Sequence, residues 1–427
     1  MKNKICPLPW NHLAVQQNGD FRICCQCVHP PFAKISDESG MMNIATHSFE
    51  EARTSTLSIE IREAQLSGEE HAACKLCYDQ ERLGQKSKRQ HMTEEYGVEW
   101  IKDAEPAPLQ YLDLRFGNLC NLACRSCGPN DSSLWYDDFV ALNKQQKTTV
   151  NFYGAENYPL IKINNAWTID SEDFNYYELD SVWDKIKETL HTVDRLYLTG
   201  GEPLINKSNH RLLHLCIEQR VADKIILEYN SNMTNVPEWL FEAWSKFNKV
   251  IVGCSIDAIG DLAYYIRYPS DWAKIEKNLD QLGNLKYRNI IAKLAVTVSV
   301  YNVLHYPEIL KWLANKNWSR IRPIPSYHML EGPEWLNVQV LPKETKQLIE
   351  TRYRDWMHKN PNEQWHKQLN EIIAHMWAHD LSEYLPKLKE HTKVLDTNRN
   401  QNGRDYLPWL FDILDNIPDP NGLDQYW

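Results

Sequence analysis

A chain of 427 residues is too long for one ordinary core and implies two or three domains. With 43% apolar and 24% charged residues and a net charge of −10, it reads as a soluble globular protein, and the acidic balance argues against duplex nucleic acid as its main partner. No apolar run approaches the ~20 residues of a membrane span, and the opening MKNKICPLPWNH lacks the apolar stretch of a signal peptide, so a cytoplasmic location without a membrane partner is expected.

The chain begins with Cys6-Pro-Leu-Pro-Trp10. His12–Val15 and Phe21–Cys25 flank an Asn18-Gly19 turn and predict a hairpin. Ser48-Phe-Glu-Glu51 has the form of a capping box and predicts a helix start, in a helical region that runs to Cys74-Lys-Leu-Cys77. The basic cluster Lys86-Ser-Lys-Arg89 reads as a solvated helix face.

From about residue 106 the pattern alternates. Tyr111–Phe116, Asp194–Thr199, Ile225–Asn230, Val250–Ile256 and Lys293–Val300 are short and rich in strand formers. A sixth strand is expected at Arg320–Ile324 or Trp335–Val340. Between them Leu212–Val221, Glu238–Phe247 and Trp272–Lys286 carry apolar residues at helical spacing. Repeated strand–helix–strand units imply parallel strands with right-handed crossovers, as an open sheet or a barrel. In such folds ligands gather at the carboxyl ends of the strands, and several polar motifs end or follow a strand here. Residues 144–177 break the alternation and read as an inserted hairpin. Beyond Leu341-Pro342 the helices Lys343–His358 and His366–Leu381 are expected, after which Pro386 and Pro408 interrupt a looser ending.

Eleven cysteines in a reducing compartment are not read as disulfides. Cys216 and Cys254 stand alone in apolar patterns and read as buried small hydrophobes. The other nine are grouped, which points to metal. Cys120-x3-Cys124-x2-Cys127 places three soft ligands on one loop after a strand, the thiolate preference of iron–sulfur clusters. Three thiolates leave one iron of a four-iron cluster without a protein ligand, open to a small molecule. Zinc is the competitor, but a closed zinc site wants four ligands, and no fourth cysteine or histidine lies within ten residues of Cys127.

Cys120–Cys127 together with Gly200-Gly201-Glu202-Pro203 resembles the radical S-adenosylmethionine (SAM) superfamily. The first hundred residues resemble a twitch module, the shortened SPASM domain that carries an auxiliary iron–sulfur cluster. Tyr265-Ile-Arg-Tyr-Pro-Ser-Asp-Trp272 has the look of twitch-containing members. The resemblance implies a partial (β/α)6 barrel over residues 106–330, a twitch module over 1–105 and a helical region over 331–427. It also implies a [4Fe–4S] cluster on the trio that binds SAM and, through an electron from a flavodoxin- or ferredoxin-type donor, yields a 5′-deoxyadenosyl radical that abstracts hydrogen from a substrate.

Gly200 and Gly201 would let backbone approach a ligand, and Glu202 would accept hydrogen bonds from the SAM ammonium. Asn230, Ser231 and Asn232 suit a ribose, or equally a helix cap. Ser255 and Asp257 resemble the family's serine-x-aspartate SAM contact, and Arg267 the arginine for the SAM carboxylate; an ordinary salt bridge is the alternative for the arginine. Ser126 departs from the bulky residue usual before the third cysteine. Cys6, Cys24, Cys74 and Cys77 resemble the four ligands of the auxiliary cluster, read as [4Fe–4S], with Cys25 or Cys27 able to replace Cys24 and a four-cysteine zinc site as the alternative. The module precedes the barrel, where the superfamily usually places it after. A peptide or protein side chain is the expected substrate, a nucleotide, nucleic acid or small metabolite the enzymatic alternative, and an electron-transfer or zinc-stabilised binding protein the non-enzymatic one.

Overall fold

A computed structural model describes residues 4–27, 34–38, 40–82, 84, 86–143, 149–152 and 156–416. Its centre is an eight-stranded sheet formed by β1 (His12–Val15), β2 (Phe21–Arg22), β3 (Tyr111–Leu114), β4 (Arg195–Leu198), β5 (Ile226–Ser231), β6 (Lys249–Ser255), β7 (Ile290–Val298) and β8 (Ser326–Met329). The order across the sheet is β8-β7-β6-β5-β4-β3-β1-β2. Strands β3 to β8 are mutually parallel in chain order, with helices α2 (Asp180–Thr189), α3 (Lys207–Glu218), α4 (Glu238–Trp244), α5 (Trp272–Gly283) and α6 (Tyr306–Ala314) in the crossovers. This is the expected partial (β/α)6 architecture. The sixth strand lies at Ser326–Met329, between the two stretches expected for it. Ile321 makes only an isolated bridge to Ala292, and Val338–Val340 forms a 3-10 turn.

The two faces of the sheet differ in chemistry. Leu112, Leu114, Leu196, Leu198, Leu227, Val250, Val252, Leu294 and Val296 are buried toward the helices; Tyr229 on this face lies 5.4 Å from Trp244 of α4, ring centre to ring centre. Cys216 and Cys254 are fully buried in the same core, as expected. The alternate positions are mixed: Asp113, Tyr197, Glu228, Asn230, Lys293 and Thr297 are polar, Ile226, Ile251, Ile291 and Ala295 apolar. Strand β7 alternates buried and half-buried along its whole length. A parallel sheet covered on both faces reads as continuous apolar strands, so this second, concave face is built for something other than packing.

The N-terminal hairpin does not stand apart. Its turn falls at Asn18-Gly19 as expected, and β1 adds to the sheet beside β3, parallel and in register from His12↔Tyr111 to Val15↔Leu114. The capping box at Ser48–Glu51 is formed in both directions. Helix α1 (Lys88–Tyr96) then lies on the concave side: the Lys88 ammonium stands 5.5 Å from the centre of the Tyr111 ring, and Tyr96 donates to Asp194 at 3.1 Å. The basic cluster is therefore solvated only at Lys86. Arg89 is buried against Glu81 and Lys88 turns inward.

Within 144–177 the described residues form a three-stranded antiparallel meander, Thr149–Phe152, Glu156–Ile163 and Ala166–Ile169, where a single hairpin was expected; residues 144–148 and 153–155 lie outside the described set. The C-terminal helices are α7 (Lys343–Lys359), α8 (Glu363–Ala378), α9 (Leu385–Asn398) and α10 (Pro408–Asp415). Pro386 and Pro408 start α9 and α10, where a missing N–H costs nothing, and do not break the chain. Among the described residues no helix is long and apolar enough to cross a membrane.

Candidate functional site

The cysteine loop leaves the carboxyl end of β3 and is pinned by backbone on both sides. Ala123–Cys124 pairs antiparallel with Arg267–Tyr268, and Arg125 N donates to Ile266 O at 2.8 Å. The indole of Trp135 donates to Cys124 O at 2.8 Å. Cys124 is buried, Cys120 half-buried and Cys127 exposed. A hydrogen bond from the Cys127 thiol lowers the Cys124 pKa against burial, helped by the charges of Arg267 and Arg399. Burial pushes Cys120 up to about 12, and the charges of Cys124 and Glu202 add to it.

Gly200-Gly201-Glu202 closes on this loop. Gly200 and Gly201 have φ of +82° and +58°, a region that suits glycine. A Cβ on Gly201 would stand 2.3 Å from Leu119 O, and Glu202 N donates to the same carbonyl at 2.8 Å. The close approach that Gly201 permits is to the backbone of the cysteine loop. Glu202 is 2% exposed. It accepts from Leu204 N at 3.0 Å, Ser231 Oγ at 2.9 Å and Asn232 N at 2.6 Å, bonds that offset the upward push of burial on its pKa. Ser231 and Asn232 thus brace Glu202, and Asn232 also donates to Asn121 Oδ1 at 3.0 Å. Asn230 alone of the three is exposed; it donates to Tyr197 Oη at 2.5 Å.

Asp257 is buried, accepts from Thr297 N at 2.7 Å and pairs with Arg267 at 2.6 Å. The Arg267 side chain is 12% exposed and its Nε has no hydrogen-bond partner among the described residues. This is not the surface pair that was the alternative: Asp257 aims a guanidinium at the cysteine loop. Ser255 is half-buried at the end of β6. The carboxyl-end rim therefore brings together Cys120, Cys124, Cys127, Gly201, Glu202, Ser231, Asn232, Asp257 and Arg267, with Asn230 and Ser255 at the ends of the neighbouring strands.

Several residues at this rim carry no signal in the sequence. Arg125, fully buried, donates to Tyr265 O at 2.9 Å, lies 3.7 Å from the centre of the Tyr265 ring and pairs with Asp396 of α9. Arg399 pairs with Asp138 at 2.7 Å. These pairs join positions far apart in the chain, which spacing cannot reveal. Asn118 and Asn121, which flank the first cysteine, were within reach of sequence reasoning; Asn118 donates to Pro129 O at 2.9 Å and spans the loop.

The second cysteine set lies at the other end of the same strands. Because β2 runs back along β1, Cys24 returns to the level of His12 and Tyr111. The trio follows the opposite end of β3, and one four-residue strand alone separates the two ends by about 10 Å. Cys6, Cys24, Cys27 and Cys77 are buried, Cys25 and Cys74 half-buried. Hydrogen bonds from the Cys25 and Cys27 thiols lower the Cys24 pKa; Cys27 also reaches Cys74, and Cys24, Cys74 and Cys77 act on Cys6. Gln65 bridges two of them, accepting from Cys6 N at 2.7 Å and donating to Cys74 Sγ at 3.6 Å. Cys27 therefore lies beside both Cys24 and Cys74. Both sets are soft sulfur donors, the N-terminal one held largely away from water, which fits iron–sulfur clusters.

Two family models match the chain. The radical SAM superfamily model covers residues 114–313, and an iron–sulfur cluster-binding domain, SPASM, covers residues 6–78. No curated protein matches. Among solved structures, native anSMEcpe with bound AdoMet and Cp18Cys peptide is 17% identical, with a TM-score of 0.36, over 60% of this chain and 62% of that one. A histidine-tagged anSMEcpe with bound AdoMet is 16% identical, with a TM-score of 0.38, over the same shares, 60% and 62%. The chain thus spans less than two thirds of the length of those structures. With the trio at the carboxyl-end rim of six parallel strands and a second cysteine set in the N-terminal module, residues 114–313 form a radical SAM domain and residues 6–78 a SPASM-type iron–sulfur domain, which imply a [4Fe–4S] cluster, SAM and an auxiliary iron–sulfur cluster as cofactors.

Proposed function

We propose that this protein is a radical SAM enzyme that abstracts hydrogen from a peptide or protein side chain. When bound, the cluster and SAM supply reductive cleavage to methionine and a 5′-deoxyadenosyl radical, the electron coming from a flavodoxin- or ferredoxin-type donor. Cys120, Cys124 and Cys127 hold the cluster. Glu202, braced by Ser231 and Asn232, keeps one further acceptor site on Oε2 for the SAM ammonium. Arg267, held by Asp257, offers its remaining donors to the SAM carboxylate. Asn230 and Ser255 serve the ribose side, at the edge of the concave face.

The observation that carries this reading is the convergence of a three-cysteine loop, a braced buried carboxylate and an oriented arginine on one rim. Anaerobic reconstitution followed by SAM and a low-potential reductant tests it. About eight irons per chain and formation of 5′-deoxyadenosine are expected; zinc with little iron, or no 5′-deoxyadenosine, would refute it. The polar residues of the concave face suit a substrate that makes several hydrogen bonds, which a peptide does along its backbone.

A further inference from the structure

The concave face carries more positive charge than its own carboxylates answer. Arg195 is paired with Glu228 and with Glu95 of α1, and Arg115 with Asp113 at 3.3 Å. Lys293, Arg322, Lys88 and, at the exposed amino end of β6, Lys249 remain unpaired among the described residues. Lys293 lies on the half-buried face of β7 and makes no hydrogen bond or ion pair among the described residues. Arg322 is held next to it by backbone, Arg322 N donating to Ala292 O at 2.9 Å, and its side chain is likewise unpaired among the described residues. Lys88 of α1 approaches from the other side, its ammonium over the Tyr111 ring.

Two of them, Arg322 and Lys88, act on Lys293. Burial lowers the Lys293 pKa; Glu228 opposes this, and Arg322 and Lys88 add to it. His91, one turn along α1, is lowered by burial and by Lys86, Lys88 and Lys293, with Glu94 opposing. Cations gathered around a single carboxylate, Glu228, that Arg195 already pairs with store repulsion that a bound anion relieves. The protein as a whole has a net charge of −10, so overall composition does not explain the cluster.

The neighbouring wall has been cleared of side chains. Gly253 stands between Asn230 and Lys293 in the strand register, and a Cβ there would meet Asn230 Oδ1 at 2.2 Å. Asn230 therefore lies exposed over Gly253, its Oδ1 turned to the β6 side and its Nδ2 donating to Tyr197 Oη on the other.

We infer that Lys293, Arg322 and Lys88 form a subsite for an oxyanion of the substrate, a carboxylate or a phosphate. The inference rests on the proposed reading that the concave face receives the substrate. A carboxylate would come from an acidic side chain or a peptide terminus, a phosphate from a phosphorylated substrate or nucleotide. The subsite sets specificity and holds the substrate; it takes no part in cluster ligation.

The test is acylation of lysines in the full-length, anaerobically purified protein with acetic anhydride, read lysine by lysine by mass spectrometry. Glutarate, inorganic phosphate or choline chloride is added at matched ionic strength. An anion at ten times its Kd should slow modification of Lys293 and Lys88 about tenfold, while exposed Lys274 is unaffected. Arg322→Gln should remove most of that protection. Protection by glutarate alone assigns the source as a carboxylate, by phosphate alone as a phosphate. No protection by either anion, equal protection by choline, or full protection in Arg322→Gln would overturn the subsite. The same preparation is assayed for 5′-deoxyadenosine: its absence with protection intact refutes the proposed activity alone, and its formation without protection refutes the subsite alone.

Discussion

Gly201 carries the tightest steric demand at the rim. Its positive φ and the 2.3 Å approach of Leu119 O leave no room for a methyl group, and the obstacle is backbone that cannot swing away. Gly201→Ala should therefore displace the cysteine loop and lower the iron retained at the trio, measured by iron analysis of the purified protein. Cys124→Ala removes the buried member of the trio and should abolish 5′-deoxyadenosine formation, whereas retained formation would show that the trio is not the SAM cluster site. His391 is a residue-scale case of a different kind. It is 4% exposed with no hydrogen-bond partner for either ring nitrogen among the described residues. Burial, reinforced by Arg125, Arg399 and Lys387, lowers its pKa to about 3. The folded pKa lies below the unfolded one, so as pH falls through the unfolded value of about 6.5 only the unfolded chain takes up the proton and stability is lost. Between pH 7.5 and 5.5 this amounts to about 1.4 kcal/mol. His391→Leu should lose that much less stability than the parent protein over this interval in urea denaturation; equal losses would show that His391 is protonated when folded.

Helix α9 shows how an element remote in sequence comes to govern the site. Its Asp396 receives Arg125 of the cysteine loop and Gly403 N at 3.0 Å, and the Arg399–Asp138 pair follows its end. Breaking a buried ion pair leaves an uncompensated charge, at a cost of about 3–5 kcal/mol. Asp396→Leu should accordingly lower the unfolding free energy in urea by that much and loosen the trio, while a variant at an exposed pair such as Glu350–Arg354 should shift it by less than about 1 kcal/mol. The same scale explains which elements were legible beforehand. Strands such as Val250–Ile256 announce themselves because residues buried on the helix side recur every second position. The sixth strand did not, because Ser326–Met329 is a short edge strand with only partial burial, and edge pairing depends on β7 more than on its own residues.

At the scale of the molecule, the two cysteine sets occupy opposite ends of the strands that join the N-terminal module to the barrel. Cys77→Ala should remove the auxiliary cluster, about four irons, and leave some SAM cleavage uncoupled from substrate; loss of all iron would show that the sets do not bind independently. The sequence alone determined the cysteine groups, the alternation of strands and helices, the Asn18-Gly19 turn and the capping box, since each is set by neighbours within a few residues. Tertiary structure decided that β1 extends the barrel sheet and that α9 locks the cysteine loop. It also decided that Ser231 and Asn232 brace Glu202, and that Lys88 turns into the cleft from a stretch that reads as solvated. Those outcomes depend on which segments meet in space, and the free energy that selects them resides in contacts between residues tens to hundreds of positions apart, which no local pattern records.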